Sequence, residues 1–466
     1  KSVPEERRGF DAVIGNPPYI RIQNLKEFAP REVEFYKRRY VSASKGNYDI
    51  YVVFVERGLS LMSARGLLGF ILPHKFMNAK YGEPLRGLLS RGRHVSEIVH
   101  FGHQQVFAQA STYTCLLLVG RLPHDQVRVC QVDDLDAWRA GSKDGGSVPA
   151  RLLSGAEWML STGRTGELLA RLRTSPTKLG DAAARIFQGI KTGADSVYIV
   201  EELERSDESV HVYSRATCHE HWLEAGLLHW LAKGGDSARY YLRRTNRLIL
   251  FPFKHEGGTP VLIGADELAR RFPLTWKYLL ANRDSLEGRE RGRMRGLDWY
   301  SFSRIQALDV MPLPKLFTPD LAPRAAFSWD PTGECFFTGG VAGGYGILPA
   351  DGYEIEYLLG LLNSRLLDWV IRRTATSMRG GWYSFEARFI RSLPIAQPGA
   401  GHDRGRECST AIVGLVEQAV ALAAELHAAR TAQDAAHCRR EFQTVNTAID
   451  RIVYDLYGLT DDEIAL

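Results

Sequence analysis

Asn16-Pro17-Pro18-Tyr19 places an amide side chain, two residues without a backbone N–H and an aromatic ring in four consecutive positions. A strand that runs into two prolines must stop there, with its carbonyls left pointing outward. An exocyclic amine conjugated to a ring is a weak nucleophile, because its lone pair is delocalised. The side-chain carbonyl of Asn16 and the backbone carbonyl of Pro17 can both accept its hydrogens. Those bonds push the nitrogen toward sp³ geometry and stabilise the positive charge that develops on it. Tyr19 offers a face on which a base removed from a duplex can stack. The plain alternative is a Pro-Pro turn closing a strand. The apolar run before it (residues 10–15, FDAVIG) and the tyrosine after it favour the chemical reading.

FDAVIG reads as a buried strand of the parallel type. In an open α/β sheet, ligands lie beyond the carboxyl ends of the strands. Residues 48–64 carry Val52, Leu59 and Met62 at helical spacing and predict a helix against that sheet. Residues 67–73 (LLGFILP), 95–101 (VSEIVHF) and 112–119 (TYTCLLLV) predict strands, with a helix over 82–91 between the first two. Residues 102–111 are too few for a crossover helix, so the last two strands should be an antiparallel pair.

N-P-P-Y resembles motif IV, [DNS]-P-P-[YFW], of the SAM-dependent amino-methyltransferases. The order of elements resembles the second half of a class I (Rossmann-like) SAM methyltransferase sheet. The resemblance implies an α/β catalytic domain, SAM as cofactor, and Asn16, Pro17, Pro18 and Tyr19 as catalytic residues. Phe107 resembles the motif VIII aromatic of TaqI-like adenine-N6 methyltransferases. Lys75 and Phe76, in His74-Lys75-Phe76-Met77, resemble the loop after motif VI. These three are therefore expected at the target base, against the alternatives of a hairpin core residue and ordinary loop residues. SAM binding in this fold uses a glycine-rich turn and an acidic residue, both normally ahead of N-P-P-Y. The one glycine-rich run, residues 338–346, is followed by Ile347-Leu348-Pro349 rather than a helix. Cofactor-binding residues are thus unassigned in this chain. The expectation is that its 466 residues are the C-terminal part of a longer polypeptide with the SAM motif upstream.

Gly and Ser cluster in residues 140–154, which predicts a linker. Beyond it come residues 187–195 (FQGIKTGAD), a strand at 197–200, residues 231–236 (LAKGGD), a strand at 247–253 and a helix at 354–362. Their order and wording resemble the target-recognition domain of TaqI-like and type IIG restriction-modification methyltransferases, a mixed α/β domain. DNA contact is expected from Lys191 and Thr192, from Arg289, Arg291, Arg293 and Arg295, and from Arg379, Trp382 and Tyr383. Guanidinium groups beside aromatic rings suit phosphates and base edges. Glu287 and Glu290 are interleaved with the arginines, so an internal ion-pair network is the alternative. A second linker is expected at 394–406. Ile412, Leu415, Val416, Ala419 and Leu422, then Phe442, Val445, Ile449 and Val453, predict a helical hairpin, with Gly458 as a stop and Thr460–Glu463 as a capping box. The domains are accordingly 1–139, 155–393 and 407–466.

Composition narrows the remaining choices. Apolar residues make up 45% and charged residues 24%, an ordinary globular balance. Mean hydropathy is −0.21 and no run of about 18 apolar residues occurs, so a membrane span is not expected. The net charge of +5 permits a polyanionic partner. Six scattered cysteines form no C-x-x-C pair, which fits a reducing cytoplasm. Cys218-His219-Glu220-His221 lacks a second ligand pair, so no metal is expected. Pro319-Asp320 is not followed by any lysine, so Mg²⁺ is expected only if a nuclease lies upstream. The function expected is adenine-N6 methylation of a flipped base in duplex DNA, in a restriction-modification or phage-defence system, with other defence subunits as further partners. The alternatives are a non-catalytic specificity subunit and an amino-methyltransferase acting on RNA or protein glutamine.

Overall fold

The computed structural model describes residues 9–102, 104–107, 112–141, 145–155, 157–158, 160–378, 380–399 and 403–466. The chain divides into two compact units. One is Lys1–Arg171 with Thr376–Gly380 and Ala465–Leu466; the other is Leu172–Ala375 with Gly381–Ile464.

The first unit is built on β1 (Phe10–Gly15), α1 (Tyr51–Leu61), β2 (Met62–Pro73), α2 (Glu83–Arg91), β3 (Val95–His100), β4 (Thr114–Gly120), β5 (Gln126–Gln131) and β6 (Gly146–Pro149). The strands form one sheet in the order β1-β2-β4-β3-β5-β6. β1 and β2 are parallel, since α1 carries the chain back between them. β4 enters antiparallel between β2 and β3, so the expected antiparallel pair is present. Val52, Val53, Val55 and Leu59 of α1 are buried with Leu68, Phe70 and Leu72 of β2. The helix approaches closely at Gly58, where an added Cβ would lie 2.4 Å from the Leu68 Cδ1.

Two sequence expectations change here. β1 is an edge strand, not a buried one: among the described residues it pairs only with β2, and Phe10 and Ile14 are 61% and 85% exposed. A run of apolar residues does not report whether both neighbours are present. The expected linker at 140–154 is also partly structure. β6 pairs with β5, and Val148, Leu153 and Trp158 join the core, so the first unit extends to Arg171 rather than ending at 139. Small residues hid an edge strand that has only one inward apolar side chain.

The second unit holds two larger sheets. β7 (Ala183–Gln188), β8 (Ile199–Arg205), β9 (Ser209–Ser214), β10 (His219–Glu224), β11 (Leu228–Ala232), β12 (Arg247–Leu250), β13 (Lys315–Pro319), β14 (Ser328–Asp330), β15 (Phe336–Phe337) and β16 (Gly344–Pro349) supply the strands. They run β10-β9-β8-β12-β11-β15 in one sheet and β14-β13-β16-β7 in the other. The expected strand at 197–200 begins at Ile199, because Asp195–Tyr198 forms a helical turn that buries Val197 and Tyr198. β13 and β14 enclose an ion pair: Lys315 Nζ lies 2.6 Å from the Asp330 carboxylate, and both side chains are buried.

Helices α3 (Ile355–Asn363), α4 (Arg365–Thr374), α5 (Asp403–Ala428) and α6 (Ala432–Leu456) complete this unit. α5 and α6 form the predicted hairpin, and Thr460 and Glu463 make the predicted reciprocal cap. They are part of the second unit, not a third domain. Gly360 of α3 meets α5 so closely that a Cβ there would lie 2.7 Å from Ile412. The expected linker at 394–406 is likewise anchored, with Ile395 N–H donating to Thr177 O and the Tyr457 hydroxyl donating to Pro394 O. Gly405–Ala428 is long and apolar enough, by length and composition, to cross a membrane, with mean hydropathy 1.4, although Glu417, Gln418 and Glu425 interrupt its apolar residues. Its Ile412, Val416, Ala419 and Ala423 are buried in the unit.

Candidate active site

Asn16 to Tyr19 follow β1 directly, at the carboxyl end of the β1–β2 pair. Asn16 and Pro18 are exposed, Pro17 is buried and Tyr19 is half-buried. Among the described residues, none donates to the Asn16 side chain or to the Pro17 carbonyl, so no hydrogen bond of the fold claims either acceptor. Tyr19 is held in place: its hydroxyl donates to Ile71 O at 3.1 Å, and its ring meets Tyr51 edge-on at 6.5 Å. Burial, with a smaller effect from Cys115, raises its pKa to about 12, so the phenol stays neutral.

The chain after the motif is clipped in place. Ile22 N–H donates to Tyr48 O and Ile50 N–H to Ile20 O, each at 2.9 Å, around an antiparallel bridge between Arg21 and Asp49. Asp49 was not singled out in the sequence. Burial raises its pKa, against the opposing pull of Arg21, Lys75 and a hydrogen bond from Tyr81. Tyr81 in turn shares a 2.9 Å hydrogen bond with Tyr51. The only sequence signal was Tyr48-Asp49-Ile50-Tyr51 just ahead of a helix.

Lys75 is exposed and coupled to this group through Asp49. Phe76 is not a pocket wall. It is fully buried, edge-on to Tyr51 and Trp158, because the short helical turn His74–Met77 points it into the core. Phe107 is half-buried in the segment between β3 and β4.

His74 and His100, at the carboxyl ends of β2 and β3, stack with centroids 4.3 Å apart and planes 12° apart. Tyr113 stacks beyond His74 at 6.1 Å. Burial first and His100 second lower the His74 pKa to about 3; burial lowers that of His100 to about 4. Both imidazoles are neutral at pH 7. His100 Nδ1 accepts from Gly102 N–H at 3.0 Å, and His74 Nδ1 is buried without a partner.

In the second unit, the residues expected to touch DNA separate into two groups. Lys191, Arg291, Arg293 and Arg295 are exposed, as is Trp382, and Tyr383 is half-buried beneath the Arg372 guanidinium. Thr192 and Arg289 are structural. Thr192 is fully buried and donates to Asp195 at 2.5 Å. Arg289 is buried over the Tyr198 ring and donates to the carbonyls of Leu286, Thr192, Trp299 and Ser301. Four of its five N–H donors are spent on carbonyls of the fold and the side chain is buried, so it is not presented to a phosphate. Arg379 lies outside the described residues.

Among the described residues, none forms a SAM cradle of the glycine-turn and acidic type. The glycine-rich run at 338–346 is a turn leading into β16, closed on its own backbone: a Cβ on Gly343 would lie 1.7 Å from Thr338 O, and one on Gly346 would lie 2.3 Å from the Phe187 ring. Among the described residues no group of His, Cys, Asp and Glu is arranged to hold a metal ion.

These features define an α/β protein with an amide-Pro-Pro-aromatic segment at a sheet edge. Residues 2–107 match the Eco57I restriction-modification methylase family. The type II restriction enzyme and methyltransferase RM.Eco57I of Escherichia coli is 26% identical over 470 residues, covering 97% of this chain and 46% of that protein. The type II methyltransferase M.PaeR7I of Pseudomonas aeruginosa is 27% identical over 402 residues, covering 83% of this chain and 64% of that protein. The type IIL restriction-modification enzyme MmeI, solved in complex with DNA, shares the fold with a TM-score of 0.60 at 13% identity, over 97% of this chain and 55% of that one. The chain is therefore a homologue of type II restriction-modification methyltransferases. It spans about half to two thirds of the length of these curated relatives.

Proposed function

We propose that this chain carries the base-accepting and DNA-reading parts of a cytoplasmic adenine-N6 DNA methyltransferase in a restriction-modification system. The observation that carries the proposal is an Asn16 amide and a Pro17 carbonyl that no hydrogen bond among the described residues claims, beside a Tyr19 ring anchored to β2. Asn16 Oδ1 and Pro17 O would accept the two hydrogens of the adenine amino group and orient its lone pair. Tyr19, with Phe107 from the β3–β4 segment, would hold the flipped ring and replace the stacking lost from the duplex. After transfer, the ammonium loses its proton to water, so no side chain need act as a base. SAM supplies an electrophilic methyl group when bound. Among the described residues, none forms that glycine-turn and acidic cradle, so these roles concern the acceptor alone. Exposed Lys191, Arg291, Arg293, Arg295 and Trp382 would meet duplex DNA.

Incubation of the natural protein with labelled SAM and DNA, RNA or protein tests the acceptor class. Label is expected in DNA, at adenine N6. Asn16→Ala should lower that labelling at least a hundredfold, the scale of losing a polar group aimed at developing charge. DNA affinity should be unaffected. Normal labelling by Asn16→Ala would refute the role.

A further inference from the structure

Resting on the reading of this chain as a DNA methyltransferase, we propose that a cleft in the second unit, lined by Lys191, Glu290, Ser303, Arg304 and Gln306, reads a base-pair edge of the target duplex. The cleft encloses about 580 Å³. Glu290 in its wall (φ 50°, ψ 37°) and the next residue, Arg291 (φ 62°, ψ 37°), are two successive non-glycine residues in the left-handed region. Such residues persist only where their surroundings impose them. The preceding residue imposes it: Arg289, bound to four carbonyls beneath the cleft, fixes the turn that presents Glu290. On the opposite wall, Lys191 and Arg304 are paired through an antiparallel bridge. Gly193 (φ 73°) packs so tightly against Ser303 that a Cβ would lie 1.8 Å from its Oγ.

The groups in this cleft are uncommitted. Among the described residues, the side chains of Glu290 and Arg304 make no hydrogen bond or ion pair, and Ser303 Oγ is buried without a partner. Gln306 donates its amide to Gly189 O at 3.3 Å, which leaves its carbonyl as an acceptor. Asp195, the other carboxylate here, is occupied by Thr192.

The mixture of signs selects the ligand. A phosphate has no hydrogen to give Glu290 and would be repelled by it. A cytosine N4 or adenine N6 amino group donates to a carboxylate, and the O6/N7 edge of guanine accepts from arginine or lysine. Ile305, between Arg304 and Gln306, is 71% exposed, and Val341, close in sequence to Gly339 of the cleft, is 72% exposed. Aliphatic groups of this kind suit a thymine methyl. The cleft thus offers both acceptors and donors, the features that distinguish base-pair edges from phosphates, with exposed aliphatic side chains next to its lining residues in sequence.

The test is the methylated motif itself, read by sequencing modified bases in DNA from cells that express the natural protein or a variant. Glu290→Gly removes the carboxylate and suits the left-handed backbone, so the variant folds. Glu290→Gly and Arg304→Gln are each expected to lower discrimination at one position of the motif about ten- to a hundredfold. The salt dependence of DNA binding should stay as in the parent. An unaltered motif with parental discrimination in both variants would overturn the proposal while leaving the methyltransferase reading intact. So would a uniform loss of affinity across sequences in Arg304→Gln with the salt slope reduced by about one, the mark of a phosphate contact. A parent protein that modifies no DNA would overturn the methyltransferase reading, and this inference with it.

Discussion

The Tyr19 hydroxyl donates to the carbonyl of Ile71, 52 residues along the chain, and so ties the N-P-P-Y segment to the strand beside it. The bond fixes the ring before any base arrives, which spares the cost of ordering it on binding. Removal of the hydroxyl and removal of the ring should therefore differ. Tyr19→Phe loses one hydrogen bond, about 1 kcal/mol of local stability, and should retain methylation within severalfold. Tyr19→Ala loses the stacking face, about 1–3 kcal/mol per base, and should lower single-turnover methylation by tenfold or more. Equal rates in the two variants would remove the ring from the base-binding role.

The stacked pair His74 and His100 predicts an acid-sensitive first unit. Both imidazoles have folded pKa values near 3 and 4, below the unfolded value of about 6.5. As pH falls through 6.5, the unfolded chain takes up protons that the folded one refuses. Stability is therefore complete above 6.5 and declines toward pH 4. At pH 5 the loss is roughly 2 kcal/mol for each imidazole. The double variant His74→Phe with His100→Phe should flatten the fall in melting temperature between pH 7.5 and 5. An unchanged slope would show that other groups set the acid sensitivity.

Lys315 and Asp330 form a buried ion pair, and Lys315 also donates to Met311 O and Leu313 O. Removing one partner leaves the other charged and buried. Lys315→Met or Asp330→Asn should each cost about 3–5 kcal/mol, measured by denaturant unfolding of the second unit. The double variant should recover a large part of that loss, since no charge is then stranded. Additive costs would contradict the pairing.

Arg289 and Arg291, two residues apart, should respond oppositely to truncation. Arg291 is exposed, so Arg291→Ala should weaken DNA binding uniformly across sequences and reduce the salt slope by about 0.9. Arg289→Ala strands four carbonyls beneath the cleft, and should lower stability by about 2–4 kcal/mol before any effect on DNA is seen. Equilibrium unfolding beside a salt titration of DNA binding separates the two.

Much of this was legible from residues 16–19 alone. An amide, two prolines and an aromatic ring have few uses at a strand end, and each type states its own chemistry. Helical periods also announced α1, α5 and α6, because a face that packs must repeat every three to four residues. The antiparallel β3–β4 pair followed from a connection too short to cross over.

What the chain order could not state is which polar groups the fold consumes. Thr192 and Lys191 are adjacent, yet one is sealed in a turn with Asp195 and the other faces solvent. Arg289 looks like Arg291 in sequence, but carbonyls from two distant segments, Thr192 and Trp299 with Ser301, converge on it, and only folding brings those segments together. Phe76 was expected at the target base and points into the core, against Tyr51 and Trp158. The ion pair across β13 and β14 and the stack of His74 on His100 are likewise long-range. Local residue types determined the chemistry on offer; tertiary packing decided which side chains remain free to perform it, because burial and hydrogen bonding claim polar groups without regard to their neighbours in sequence.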